Sequence, residues 1–266
     1  MNWNLHDDCG YQVFARNTLV SVIIDLKFSP ILRVADDLAA IATFQEKVRN
    51  SFPDYQEETG SVVDIGPNGV SQTSQKQHRF IDRKNQLSIV LSKNQLALQA
   101  DNHHSREITL GRYSDALKAL SETFGSVDAT RFGIRYINIV NKEKISADLN
   151  EALNWQDLIV GDFLTMPKQI ADLDDTVFQC EINSSMDTGR LIMRYGLLPD
   201  QTPEYSQITF RFDCDRFVNS ALSVDQIDNI SSQFVSDLYQ AFTSARGSAL
   251  RRWMEGESET TKELAK

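Results

Sequence analysis

Hydrophobic and polar positions along the chain switch between two periods, and the switches mark the elements. In Leu19–Phe28 (LVSVIIDLKF), Val20, Val22, Ile24, Leu26 and Phe28 share one face, while Ser21, Asp25 and Lys27 take the other. Pro30 closes this strand, because proline withholds the N–H that a continuing ladder needs. Leu38, Ile41, Phe44, Val48 and Phe52 then fall at three- and four-residue spacings, which predicts a helix capped near Asp36 or Asp37 and ended by Pro53. From Ser61 to Gly111 the runs SVVDIG, KQHRFIDR, LSIVLS and LALQA are strand-like, with GPNG, RKNQ and KNQ as turns between them. A second helix carries Tyr113, Leu117, Leu120 and Phe124 on one stripe and stops at Gly125. The strand TRFGIRYINIV follows.

Downstream, DLNEALNW through QIADL predicts short helices and loops, and VFQCEIN–SSMDTG–RLIMRYGLL a hairpin. The strand SQITFRFDCDRF leads into a long helix from about Val224, with Ile227, Ile230, Phe234, Leu238 and Phe242 as its apolar stripe. Ser223 and Gln226 stand at capping-box spacing before it. SALRRWME is a last short helix, and residues 255–266 form a solvated acidic tail. The expected fold is α+β: antiparallel meander sheets with helices packed on one face. Residues 1–140 and 141–254 are taken as two halves. Arg-x-x-x-Arg-Tyr at Arg131–Tyr136 and Arg190–Tyr195, and strand-then-helix at 19–52 and 206–242, point to a loose duplication of them.

Charge changes the picture next. The net charge is −10, with 15 Lys+Arg against 16 Asp+Glu in residues 1–140 and 12 against 21 in residues 141–266. An acidic second half repels phosphate backbones, so direct nucleic-acid binding is not expected; another protein, or a second copy of the chain, fits better. No apolar run reaches the roughly 18 residues of a membrane span, and MNWNLHDDCG lacks a signal-peptide pattern. Cys9, Cys180 and Cys214 form an odd, widely spaced set that reads as free thiols. A cytoplasmic location is the expectation.

Candidate chemistry centres on arginines. On a strand, Arg131, Gly133 and Arg135 share one face, and Phe132, Ile134 and Tyr136 take the other, core face. Glycine between two guanidiniums leaves room for a close approach. Arg190 and Arg194 repeat the spacing, and Asp213, Asp215 and Glu181 supply carboxylates on neighbouring strands. Two interpretations stay open: a cross-strand ladder in which carboxylates neutralise the arginines, or an anion-binding groove formed by Arg131, Gly133, Arg135, Arg190 and Arg194. Under a phosphate-ester alternative, Asp213 and Asp215 would hold Mg²⁺; otherwise no cofactor is expected. His103 and His104 with Glu107 lack metal-ligand spacing, and His6 and His78 are isolated. GPNG lacks the features of a phosphate loop, and no nucleophile motif occurs. No catalytic residues are assigned. Arg251, Arg252 and Trp253, residue types favoured at interfaces, mark a candidate contact surface.

KFSPI, SFPDY, YSDALKAL and RFGIRYINIV, in this order and before a late amphipathic helix, resemble a sporadically distributed prokaryotic family of about this length. Similarity runs over most of residues 15–250, with Arg131, Gly133, Arg135, Tyr136 and Asn138 matching its most recognisable strand. Ala116 stands where that family's pattern has an aromatic residue. The resemblance carries over no activity and no catalytic residues. The family's patchy occurrence implies horizontal transfer of the sort seen for defence and toxin–antitoxin genes. The expectation is a non-enzymatic binding protein, a component of a mobile defence or toxin-neutralising system. The alternative is a nucleotide- or phosphate-ester-binding enzyme or sensor.

Overall fold

The computed structural model describes residues 14–66, 69–101, 105–200 and 208–256, with the backbone alone for 60–66 and 69–75. Cys9, His6, His103, His104, Pro67 and Asn68 of the GPNG turn, and residues 257–266 of the tail lie outside the described residues.

Strand β1 (Leu19–Phe28) forms where the alternation begins, and its apolar face is buried from Val22 to Phe28. Two helices follow, α1 (Leu32–Asp36) and α2 (Leu38–Val48). Asp37 caps α2 by accepting from the Ala40 N–H, which stabilises a helix start by about 1 kcal/mol. The meander is β2 (Asp54–Gly66), β3 (Gly69–Asp82), β4 (Leu87–Ser92) and β5 (Gln95–Asp101). Helix α3 (Arg106–Phe124) starts before Gly111 rather than after it, because the Ser105 hydroxyl accepts from the Ile108 N–H and fixes the N-terminus there. Gly111 sits inside the helix with open space around it.

Strand β6 (Ala129–Val140) is followed by the short helices α4 (Lys142–Leu149), α5 (Trp155–Leu158) and α6 (Thr165–Ile170). The hairpin β7 (Phe178–Ser185) and β8 (Arg190–Pro199) leads to β9 (Ile208–Val218), and α7 (Val224–Ala245) and α8 (Ser248–Glu255) end the described chain. Ser223 and Gln226 close the capping box of α7 as their spacing predicts.

The nine strands of the described residues join one open antiparallel sheet in the order β2-β3-β4-β5-β1-β6-β9-β8-β7. The fold is α+β. A single buried cluster fills the space between the sheet and the helices, from Phe44, Leu98 and Leu120 through Phe132 and Phe234 to Phe212 and Leu250. No helix among the described residues is long and apolar enough to cross a membrane.

The order contains a repeat. A strand, short helices, a meander and a long helix occur as β1 to α3 and again as β6 to α7. In each unit the last meander strand pairs with the first strand, and β1 and β6 join the units antiparallel, with Ile24 opposite Ile134. The repeat therefore equates β1 with β6. The two Arg-x-x-x-Arg-Tyr segments lie on β6 and β8, which are not equivalent: one opens its unit, the other is mid-meander. Nor does residue 19–52 correspond to 206–242, since β9 closes a unit that β6 opens. Four-residue spacing keeps two arginines on one face of any strand, so the motif reflects face alternation alone.

Candidate functional site

The helices pack on one face of the sheet, over its central strands, and among the described residues no helix packs on the other face. Nine strands at about 4.8 Å spacing make that face roughly 40 Å wide. Its centre holds the residues that alternation sets opposite the core. Rows of directly opposed residues run across the strands: Asp25, Gly133, Phe217 and Arg190; Arg135, Asp215 and Ile192; and Ile137, Asp213, Arg194 and Glu181.

Arg131 leans along β6 across Gly133. Its Nη1 donates to Asp25 Oδ2 on β1 and its Nη2 to Asp215 Oδ2 on β9, both at 2.9 Å, and its guanidinium lies 4.7 Å from the centre of the Phe217 ring. A Cβ at position 133 would stand 3.0 Å from Arg131 Nη1 and 3.0 Å from Phe217 Cβ. Gly133 thus makes room for the guanidinium of its own strand rather than for a ligand. Arg135 leans the same way and grips Asp213 with two bonds, Nε to Oδ1 at 2.7 Å and Nη2 to Oδ2 at 2.5 Å. Gln95 of β5 adds a bond to Asp25 at 2.6 Å. The core of the arginine strand is therefore a three-strand ionic lattice in which two guanidiniums tie Asp25, Asp213 and Asp215.

Burial is deep enough to matter. The Asp213 side chain is 7% exposed beneath Arg135, and Arg131 and the two carboxylates it joins are each less than a quarter exposed. Burial pushes the Asp215 carboxyl above the usual carboxylate range, against the opposing pull of Arg131 and Arg135. The bidentate bond to Asp213 raises Arg135 further above its ordinary value. Bidentate, charge-assisted bonds of this kind fix geometry as well as contributing energy.

The other predicted residues join less closely. Arg194 pairs with Glu181 across the β7–β8 rung at 2.6 Å, and Arg190 Nε donates to Asn183 Oδ1 at 2.8 Å. These contacts form a periphery separate from the lattice. Lys27, Arg190 and Arg211 face solvent, with no carboxylate paired to them among the described residues. On β6 to β9 this face carries Arg131, Arg135, Arg190, Arg194 and Arg211 against Asp213, Asp215 and Glu181, an excess of two positive charges on a chain of net charge −10. Among the described residues no group of three His, Cys, Asp or Glu side chains is placed to hold a metal ion. Both Asp213 oxygens are engaged by Arg135 and one of Asp215's by Arg131.

The C-terminal contact surface needs correction. Trp253 is buried, and its Nε1 donates to Asp148 Oδ2 at 2.8 Å; Arg252 forks onto Glu151 at 2.7 and 2.8 Å. Only Arg251 is exposed. Leu250 and Trp253, three apart, sit with Ala249 and Met254 on the inward face of α8, so its aromatic residue serves the core.

Two ionisable groups on the core side escaped the sequence reading. Arg216 is fully buried: Nε donates to Asp237 Oδ2 on α7 at 2.7 Å, Nη1 to the Thr188 and Arg190 carbonyls, and the guanidinium stacks 4.3 Å from the Phe234 ring centre. Its phase was legible, since Arg216 shares the face of Phe210, Phe212 and Cys214. His78 is also fully buried, between the Tyr55 hydroxyl at 2.9 Å and the Val34 carbonyl at 3.0 Å. The carbonyl can only accept, so Nε2 carries the proton and Nδ1 accepts from Tyr55. Desolvation lowers the His78 pKa.

No family model matches the chain, and no curated protein is similar enough to be counted a relative.

Proposed function

We propose that the protein is a non-enzymatic interaction protein that receives a protein partner on the helix-free face of its sheet. One observation carries this reading: the broad face has its ionic side chains already locked to one another across strands. Groups ordered before contact lose little further freedom on docking, which lowers the entropic cost of association. The uncompensated Lys27, Arg190 and Arg211 at the margins of the lattice provide the charge contrast that orients a partner.

Capture from the native host with the tagged chain tests the reading. The wild-type chain is expected to retain one stoichiometric protein, and the pair Lys27→Glu and Arg211→Glu to lose it with an unchanged melting temperature, since neither side chain supports the fold. Equal recovery by both, or a chain that is always partner-free, would refute the assignment. The family resemblance supports a place in a mobile defence or toxin-neutralising system. On that reading the captured protein is the product of an adjacent gene.

Arg190, exposed in the row that holds Asp25 and Gly133, favours a second reading, an acidic or phosphorylated ligand bound at the margin of the lattice. Thermal shift with nucleotides, with and without Mg²⁺, tests it: a ligand at 100 times its dissociation constant stabilises by about 2.7 kcal/mol. No shift with any nucleotide would end this alternative.

A further inference from the structure

The two topological units differ by one strand. Among the described residues the first meander has four strands and the second has three, so β3 lies between β2 and β4 while β7, its counterpart, pairs only with β8. We propose that the β7 edge takes up an extended, lysine- or arginine-bearing segment of a partner protein as a tenth strand of the sheet. The inference is independent of the helix-free face and concerns a different surface.

Three features of β7 support it. Among the described residues no strand pairs with its outer edge: its register with β8 is unbroken from Phe178 opposite Leu197 to Ser185 opposite Arg190, and alternate residues turn N–H and C=O groups outward. Edges are ordinarily defended by lysine, proline, bulges or a covering element. β7 has no lysine, proline or bulge, and its only charge, Glu181, is engaged by Arg194. The opposite edge of the sheet, β2, carries Asp54, Glu57 and Glu58.

The second feature is apolar surface without cover. Ile182 lies on the helix side of β7, opposite Met193, and remains 40% exposed; Val177, just before the strand, is 56% exposed. In the first unit the matching position is closed. Phe80 of β3 is fully buried, and Tyr55 of β2 packs against it with ring centres 5.4 Å apart. A strand added to β7 would supply the side chain that β2 supplies to β3.

Charge identifies the occupant. Residues 171–200, which contain the hairpin and its approaches, hold six acidic residues against Arg190 and Arg194. Asp172 and Asp175 precede β7 and Asp187 follows it, all exposed. A second copy pairing edge to edge would bring two such segments together, whereas a basic strand meets opposite charge at both ends. Main-chain bonds then supply affinity and alternate side chains supply selectivity, as in strand addition generally.

Amide exchange of the whole chain, followed by mass spectrometry, tests this. The probe is a blocked ten-residue peptide of alternating lysine and valine, with the glutamate–valine peptide as its counterpart. At about 10 times its dissociation constant, the lysine peptide should slow exchange in 178–185 about tenfold, with the effect falling as salt rises. Ile182→Lys should abolish the protection without lowering the melting temperature. If that variant folds poorly, Asp175→Lys with Asp187→Lys, at the strand ends, should weaken binding several-fold. Three results would overturn the proposal: equal protection by the glutamate peptide, slow exchange of the outward-facing amides of 178–185 in the free chain, or a doubled mass without peptide that Ile182→Lys removes. Lys27→Glu with Arg211→Glu should leave the peptide effect intact, so failure at the open face is told apart from failure here.

Discussion

Replacing Arg131 with alanine removes one cation from between two carboxylates, and the cost can be worked from the geometry. Two charge-assisted bonds of 2.9 Å disappear, and Asp25 and Asp215, 14% and 18% exposed, remain facing each other across the strands. Breaking a buried pair from one side costs about 3–5 kcal/mol. Because water still reaches part of all three groups, we expect the lower end, about 3 kcal/mol. For a chain of this size that is a fall in melting temperature of about 6–12 °C. The pH dependence gives a sharper reading. Asp215 already sits above its ordinary pKa because of burial, and Arg131 is the largest influence holding it down. Without Arg131 the folded-state pKa rises further above the unfolded value. A raised folded pKa contributes stability below the unfolded pKa that is lost as pH rises through the folded one, so the variant's deficit should be smallest in acid and grow toward neutrality. Urea denaturation of wild type and Arg131→Ala between pH 4 and pH 7.5 measures this. A deficit below about 1 kcal/mol, or one that does not change with pH, would refute the lattice as a stabilising structure. Gly133→Ala supplies the internal check. Its Cβ would press on Arg131 and on Phe217, so it should cost about 1–3 kcal/mol alone and less in the Arg131→Ala background.

Asp237→Ala should orphan the buried Arg216 guanidinium and cost about 3–5 kcal/mol, read from the urea midpoint; a loss comparable to a surface substitution would argue against the buried pair. His78 should stay neutral, with the proton on Nε2, at a pH where an exposed histidine is half charged, as ring ¹⁵N shifts report. Its folded pKa lies below the unfolded one, so its contribution is full above about 6.5 and is lost as pH falls toward the folded value; a His78→Asn chain should lack that component. Burial, reinforced by Asp213 and Asp215, drives the Cys214 thiol far above its ordinary value, whereas Cys180 is partly exposed. Native-state alkylation should therefore label Cys180 before Cys214, and Cys214 only on unfolding.

What the sequence revealed and what it withheld divide along one physical line. Alternation told which face each residue occupies, and Asp25, Arg131, Arg135, Asp213 and Asp215 do share a face. Alternation does not tell which strands are neighbours. The partner of Arg131 is Asp25, a hundred residues earlier, because β1 lies between β5 and β6; nothing in the local pattern of LVSVIIDLKF says so. The same gap hides the repeat, because short motifs recur without regard to strand position. Trp253 failed for another reason: residue-type preference pointed outward while the i, i+3 relation to Leu250 pointed inward, and packing decided. Arg216 was hidden by its own charge, since arginine in a core phase is easily passed over.

The placing of β1 at the centre of the sheet also bears on synthesis. It leaves the ribosome before either strand that will flank it, for those begin at Gln95 and Ala129. At about 5–20 residues per second, LVSVIIDLKF waits roughly 5–20 s for its second neighbour with an apolar face and at least one hydrogen-bonding edge unsatisfied. Nascent chains halted between those two points should be the ones that need a chaperone.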